Sequence, residues 1–151
     1  SGIDGTLSTA VGHAKVTDRI VTLLIGDLAF MYDRNAFWQN ELPANLRVII
    51  LNNSGGGIFR TLPGAKEQPE LETYFASAQT VNFEHTAKQH NCEYKYCDNW
   101  TDLGKGLEKL PQKQDSPLIL EIGFDNEINF QNQENLKKQL LANISLENPD
   151  L

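Results

Sequence analysis

The chain has 151 residues, 40% hydrophobic and 22% charged, a composition that fits one globular domain and excludes wholesale disorder. Its 13 Lys and Arg against 20 Asp and Glu leave a formal charge of −7, which argues against nucleic acid or an anionic membrane as the main partner. No apolar run approaches the ~20 residues of a membrane span, no signal-peptide pattern opens the chain, and 2 cysteines make no disulfide scaffold, so a cytoplasmic location is expected.

The first residue is Ser1 rather than methionine, and Ser1–Gly5 reads as the inside of a turn, so a fragment or a processed chain is expected. Gly5–Ala14 is rich in small residues and reads as a helix packed closely on a sheet. Ile20–Ile25 is short, apolar and β-rich, the pattern of a strand buried on both faces of a parallel sheet. Tyr32–Leu42, carrying Phe37 and Trp38, reads as a helix closed by Pro43. Arg47–Leu51 is a second buried strand. The stretch Asn52–Gln68 that follows it is Gly- and Pro-rich, and irregular segments of that length are usually functional or mobile.

Asn82–His90 reads as a helix and Glu93–Tyr96 as a weaker strand. Thr101–Leu110 is an amphipathic helix with Asn99 as its N-cap and Pro111 as its stop. Leu118–Ile122, after Pro117, is another buried strand, and Gln133–Ile144 is a terminal helix with Leu136, Leu140 and Leu141 on one side. Strands alternating with helices predict an α/β domain over residues 1–151: a three-layer, doubly wound, mostly parallel sheet with helices on both faces.

Ligands of open parallel sheets bind beyond the carboxyl ends of the strands. One predicted strand ends in Gly26-Asp27-Leu28 and another in Asn52-Asn53-Ser54-Gly55-Gly56-Gly57-Ile58-Phe59, so Asp27 and Asn53 converge if the two strands are neighbours. A carboxylate, an amide oxygen and a glycine carbonyl make an all-oxygen set suited to Mg²⁺ or Ca²⁺ rather than zinc. Beside a glycine-rich turn, such an ion suggests a diphosphate bridged by the metal. A plain capped turn and a plain glycine loop are the competing account of the same residues. Neither a G-x-x-x-x-G-K-[ST] loop nor a strand-linked G-x-G-x-x-G is present, which disfavours an NTPase and ordinary dinucleotide binding.

Gly26-Asp27 followed after an interval by Asn52-Asn53 resembles the signature of the thiamine-diphosphate decarboxylase and carboligase superfamily. Five segments in order narrow the resemblance: Ser1–Gly5, Gly26–Phe30, Asn52–Phe59 with Leu62-Pro63, and Val81–His85. Together they resemble the C-terminal, diphosphate-binding domain of the menaquinone-pathway synthases that make 2-succinyl-5-enolpyruvyl-6-hydroxy-3-cyclohexene-1-carboxylate. The likeness runs from Ser1 to about Ile122. Leu28 stands where the wider superfamily has glycine, and agrees with the narrower family.

The resemblance implies thiamine diphosphate with Mg²⁺, or Mn²⁺ in its place, held by Asp27 and Asn53 side-chain oxygens and the Gly55 carbonyl. It implies that Gly26 and Leu28 line the diphosphate, that Ile3 is the apolar wedge keeping the cofactor bent, and that Ile58 flanks the cofactor. Ile58, Phe59 and Leu62 would flank the substrate cavity. The implied whole enzyme is a transferase that decarboxylates 2-oxoglutarate and joins the succinyl-semialdehyde unit to isochorismate. Its active site forms between subunits of a homo-oligomer, dimer or tetramer. The pyrimidine-binding domain, with its activating glutamate, and the middle domain have no counterpart among these residues, so no catalytic residue is expected here and the chain alone should be inactive. Two alternatives are a domain of another thiamine-diphosphate 2-oxo-acid decarboxylase or synthase, and a non-catalytic self-associating module.

Other chemistry-bearing residues have plainer readings. His85, His90, Cys92 and Cys97 lack zinc-site spacing, His13 reads as a surface or capping residue, and Asp33 as a first-turn aspartate helping the next helix. Arg60 and Lys66 read as solvated charge or contacts to an anionic substrate. Phe37, Trp38, Tyr74 and Phe75 read as core or subunit contacts.

Overall fold

A computed structural model describes residues 2–147, so Ser1 of the first resembling segment and the last four residues of the predicted domain lie outside the described residues. Four strands, β1 (Val21–Gly26), β2 (Leu46–Asn52), β3 (Glu93–Cys97) and β4 (Leu118–Gly123), form one all-parallel sheet in the order β1-β2-β4-β3. Parallel strands need crossover connections, and helices supply the covering layers. Leu46, Val48, Ile50 and Ile119 face a cluster with α1 (Thr6–Lys15), α2 (Asp27–Tyr32) and α3 (Glu84–Gln89), whose Leu7, Val11, Phe30 and Ala87 are buried. On the opposite face, Ile49, Cys97 and Leu120 meet Leu103 and Leu110 at α4 (Trp100–Lys109). The predicted three-layer α/β architecture is therefore the observed one.

Helix α4 approaches the sheet closely because Gly106 has no side chain. A Cβ there would lie 2.5 Å from Leu120 Cδ1 and 3.3 Å from Cys97 Sγ. The expected cap is present, with Asn99 Oδ1 accepting from the Asp102 N–H at 3.0 Å.

Four expectations are corrected. Strand β1 is not buried on both faces: Thr22 is exposed and Leu24 is 61% exposed, because β1 is an edge and α4, on the face that Leu24 shares with Ile49, lies over β3 and β4 at the far edge. No helix spans Tyr32–Leu42. Helix α2 instead starts directly after β1 and ends at Tyr32, and a 3₁₀ turn over Arg34–Phe37 follows, because Phe30 and Phe37 meet edge to face at 5.7 Å in the core. Asp33 serves not the next helix but α1, accepting from the Ser8 N–H at 2.7 Å and the Ser8 hydroxyl at 2.6 Å. The last helix, α5 (Asn126–Glu147), begins seven residues before Gln133, because Asp125 Oδ1 caps it by accepting from the Ile128 N–H at 2.8 Å.

The chain divides into two compact units. The first, residues 1–55 with 79–124, contains the sheet and α1 to α4. The second, residues 56–78 with 125–151, contains 3₁₀ turns at Gly57–Arg60 and Ala65–Glu67, a π-helix at Leu71–Ala76, and α5. Within the second unit the Gly56 N–H donates to Ala76 O at 2.6 Å, the Phe59 and Phe75 rings meet at 5.6 Å, and Arg60 grips Glu72 through both terminal nitrogens, at 2.5 and 2.7 Å. Leu136, Leu140 and Leu141 share the exposed surface of α5.

Candidate functional site

Strands β1 and β2 are parallel neighbours in a register that pairs Gly26 with Leu51. Asp27, one residue past that pair, and Asn53, two past it, therefore leave the sheet near each other at its carboxyl end. Asp27 is the first residue of α2 and is 1% exposed. Burial pushes its carboxyl above the ordinary value, and hydrogen bonds from the Leu28 N–H at 2.9 Å, the Gln79 amide at 3.3 Å and the Gly55 N–H pull it partly back. None of the ion pairs among the described residues involves Asp27. A carboxylate buried without a counter-charge favours a bound cation.

The turn after β2 shapes the rest of the site. Asn52 Oδ1 accepts from the Ser54 N–H at 3.0 Å, and Ser54 takes a left-handed conformation at φ 61°. Gly55 follows at φ 152°, a value that favours glycine. One terminal position of the Asn53 amide then sits 2.8 Å from Gly55 O and 3.2 Å from Asp27 Oδ1. Hydrogen bonding alone places the nitrogen there, donating to both oxygens. Turned by half a rotation, the amide presents Oδ1 instead, 2.8 Å from Gly55 O and 3.2 Å from Asp27 Oδ1. Cation–oxygen bonds of 2.0–2.1 Å in an octahedron put adjacent ligand oxygens about 2.9 Å apart. The spacing and the oxygen-only chemistry both fit Mg²⁺ or Mn²⁺.

The structure thus brings together the three residues that the sequence nominates for a metal. Gly26, on the diphosphate side of the expectation, is exposed, and Leu28 is half-buried. Ile3 is 39% exposed in the segment ahead of α1. Ile58, Phe59 and Leu62 belong to the second unit, where Ile58 and Leu62 are exposed and Phe59 packs on Phe75. Arg60 is occupied by Glu72 in that unit.

Among the aromatics, Phe37 is core, whereas Trp38 and Tyr74 are exposed. His13 and His85 are exposed, and His90 packs edge-on against Phe37 at 5.6 Å. Both cysteines are free, and burial raises both thiols, Cys92 to about 12.

Sequence reasoning passed over a group of polar residues beside the turn. Glu121 on β4 is 2% exposed, and its Oε1 accepts from the Asn52 amide at 2.7 Å. Its Oε2 accepts from the Tyr94 hydroxyl at 2.7 Å and the Phe83 N–H at 3.2 Å. The available signal was a lone carboxylate inside the apolar run Leu118–Ile122, since a charge in a buried strand must find donors. Gln79, which reaches Asp27, left no such signal.

A family model described as "Thiamine pyrophosphate enzyme, C-terminal TPP binding domain" matches residues 3–122. Curated relatives named 2-succinyl-5-enolpyruvyl-6-hydroxy-3-cyclohexene-1-carboxylate synthase include one from Cytophaga hutchinsonii, 46% identical over 93% of this chain and 25% of its own length. Another, from Flavobacterium johnsoniae, is 42% identical over 85% of this chain and 24% of its own. The chain thus spans about a quarter of the length of the curated relatives it matches. A solved structure, the thiamine diphosphate-dependent 4-hydroxybenzoylformate decarboxylase of Rhodococcus jostii RHA1, superimposes with a TM-score of 0.61 at 26% identity, covering 77% of this chain and 22% of that one. No helix among the described residues is long and apolar enough to cross a membrane.

Proposed function

This chain belongs to the thiamine pyrophosphate enzyme family as a C-terminal TPP binding domain, and from that premise we propose that it serves a menaquinone-pathway synthase. In this reading the whole protein decarboxylates 2-oxoglutarate and joins the resulting four-carbon unit to isochorismate. It does so in the cytoplasm, as a homo-oligomer whose other domains complete the site. The observation that carries the local part is the convergence of Asp27, Asn53 and Gly55 at the carboxyl ends of β1 and β2. The identity of 46% to a synthase of that name carries the substrate assignment.

Residues of this chain hold and orient. Asp27 would supply the charge that holds Mg²⁺, with the Asn53 side-chain oxygen and Gly55 O as further ligands. Gly26 and Leu28 would line the diphosphate, and Ile3 and Ile58 would contact the cofactor. Ile58, Phe59 and Leu62 would flank the substrate. Bound thiamine diphosphate supplies the electron sink for decarboxylation, while the protein supplies position and electrostatics. The activating carboxylate comes from another domain, so the 151-residue chain by itself does not turn over.

The test is turnover by the full-length protein. With Mg²⁺ and thiamine diphosphate present, isochorismate should be consumed only when 2-oxoglutarate is added, and the adduct should be visible by mass spectrometry. Decarboxylation of a different 2-oxo acid, with isochorismate untouched, would move the assignment to another branch of the family.

A further inference from the structure

The buried carboxylate of Glu121 accepts from three groups, and two of them, Asn52 and the Phe83 N–H, lead to the cation turn. Through Oε1 it fixes the Asn52 amide, the residue immediately before Asn53 and the one whose Oδ1 closes the turn on the Ser54 N–H. Through Oε2 it fixes the Phe83 N–H, at the end of a segment that begins at Gln79. Gln79 lies across the same turn, its N–H donating to Ser54 O at 3.0 Å and its side chain to Asp27 Oδ2 at 3.3 Å. One carboxylate thus ties down both the strand that delivers Asn53 and the segment that closes over Asp27.

A neutral apolar side chain at position 121 would fill the same strand without this effect. The carboxylate sets the direction of the Asn52 amide: with Oε1 accepting, Nδ2 must point to the sheet and Oδ1 to the turn. That orientation permits the Asx turn and the left-handed Ser54 that aim the Gly55 carbonyl and Asn53 together. We infer that Glu121 is a positioning residue for the cation site, acting through Asn52 and the Gln79–Phe83 segment and not by touching the ion. The inference rests on the proposed role of Asp27, Asn53 and Gly55.

The geometry offers an exchange that separates positioning from packing. In Glu121→Gln alone, an amide nitrogen either opposes the Asn52 amide or opposes the Phe83 N–H, so one contact becomes repulsive. In Glu121→Gln with Asn52→Asp, the new Nε2 donates to the new carboxylate, the remaining Oε1 still accepts from Tyr94 and Phe83, and the Asp side chain still accepts from Ser54. Net charge and side-chain size are unchanged; donor and acceptor of the 52–121 bond trade places, and the exchange gives up only the long bond from Asn52 Nδ2 to Val81 O, at 3.4 Å.

The full-length protein, supplied with thiamine diphosphate, would be titrated with Mn²⁺ while electron paramagnetic resonance counts the free ion; this readout is independent of turnover. Loss of an orienting partner behind a metal ligand weakens binding by about 10–100-fold. Glu121→Gln and Asn52→Asp should each raise the Mn²⁺ dissociation constant into that range, and the double variant should return to within about threefold of wild type. If Glu121→Gln does not fold, Asn52→Ser replaces it, since serine keeps an acceptor for the Ser54 N–H but cannot reach Glu121.

Unchanged Mn²⁺ affinity in the folded single variants, or a double variant as weak as the weaker single, overturns the inference. Asp27→Asn is run alongside. If wild type binds Mn²⁺ and Asp27→Asn does not, the site reading stands and the Glu121 results speak to positioning alone. If Asp27→Asn binds as well as wild type, the site reading fails and takes the inference with it.

Discussion

Asp27→Asn should have opposite effects on stability and on cation binding. The side chain is 1% exposed and burial raises its carboxyl above the ordinary value, so ionisation at neutral pH costs folding free energy. A carboxyl raised in the folded state contributes its full stability only below the unfolded pKa of about 3.9, and that contribution is lost as pH rises through the folded value. Asparagine has nearly the same shape, keeps an oxygen for the Leu28 and Gly55 N–H groups, and never ionises; Gln79 can turn its own amide to suit. The 151-residue chain, denatured in urea at pH 7 without ligands, should therefore be stabilised by the substitution: its urea midpoint should rise at pH 7, and the gain should disappear near pH 4. Titrated with Mg²⁺ in the presence of thiamine diphosphate, the full-length variant should bind at least ~100-fold more weakly, a loss of about 2.7 kcal/mol, because the charged side chain of the proposed ligand set is gone. A variant that is less stable by 1 kcal/mol or more without ligands, or that binds the ion as wild type does, would refute the reasoning.

Arg47→Met should cost this chain about 3–5 kcal/mol in urea unfolding, because Arg47 is 1% exposed and donates to Leu110, Ala44, Leu46 and Gln112 carbonyls, which methionine would leave unpaired. Mg²⁺ affinity of the folded variant should not change; a parallel loss would show that the two ends of the sheet are coupled. Cys92, raised by burial from 9.0 to about 12, should resist iodoacetamide at pH 8 in the folded chain and react once urea unfolds it. Because the unfolded thiol ionises first, stability should fall as pH rises above about 9, and a Cys92→Ala variant should show a shallower fall, the rest coming from Cys97, Tyr94 and Tyr96, which burial also raises.

The sheet was legible because its strands are short apolar runs, and Leu46–Ile50 and Leu118–Leu120 are buried as such runs require. The edge position of β1 was not, since Thr22 and Leu24 look the same in sequence whether a helix covers them or not. The reading of Tyr32–Leu42 as helix failed for a tertiary reason: Asp33 turns to cap α1, 25 residues upstream, and Phe37 turns to meet Phe30, so the chain is drawn away from a helical path. The start of α5 could have been read from Asp125, a capping residue ahead of Glu127, but the apolar spacing of Leu136, Leu140 and Leu141 drew attention to the later half. Those three leucines remain exposed, so their spacing was not a record of burial in this chain.

The polar residues buried at the two ends of the sheet differ in how they are satisfied. At the amino end, Arg47 donates to four backbone carbonyls, and Asn45 gives its amide nitrogen to Ala14, Thr17 and Arg19 carbonyls, which pins loops. At the carboxyl end side chains join the backbone donors: Glu121 bonds Asn52, Tyr94 and the Phe83 N–H, and Asp27 bonds Gln79 and the Leu28 N–H. Side-chain networks of this kind contribute less to holding the backbone than the same groups would on carbonyls, but they fix the direction of each lone pair. Beside those bonds, one terminal atom of the Asn53 amide lies 2.8 Å from Gly55 O and 3.2 Å from Asp27 Oδ1, so the three groups meet at the end of the two strands. A pair of strands terminated only for stability would have no reason to accept a left-handed serine, a buried unbalanced carboxylate and a second buried carboxylate behind them. Their cost is understandable if a cation with its diphosphate is the missing counter-charge, which is why the stability and binding effects of Asp27→Asn must carry opposite signs.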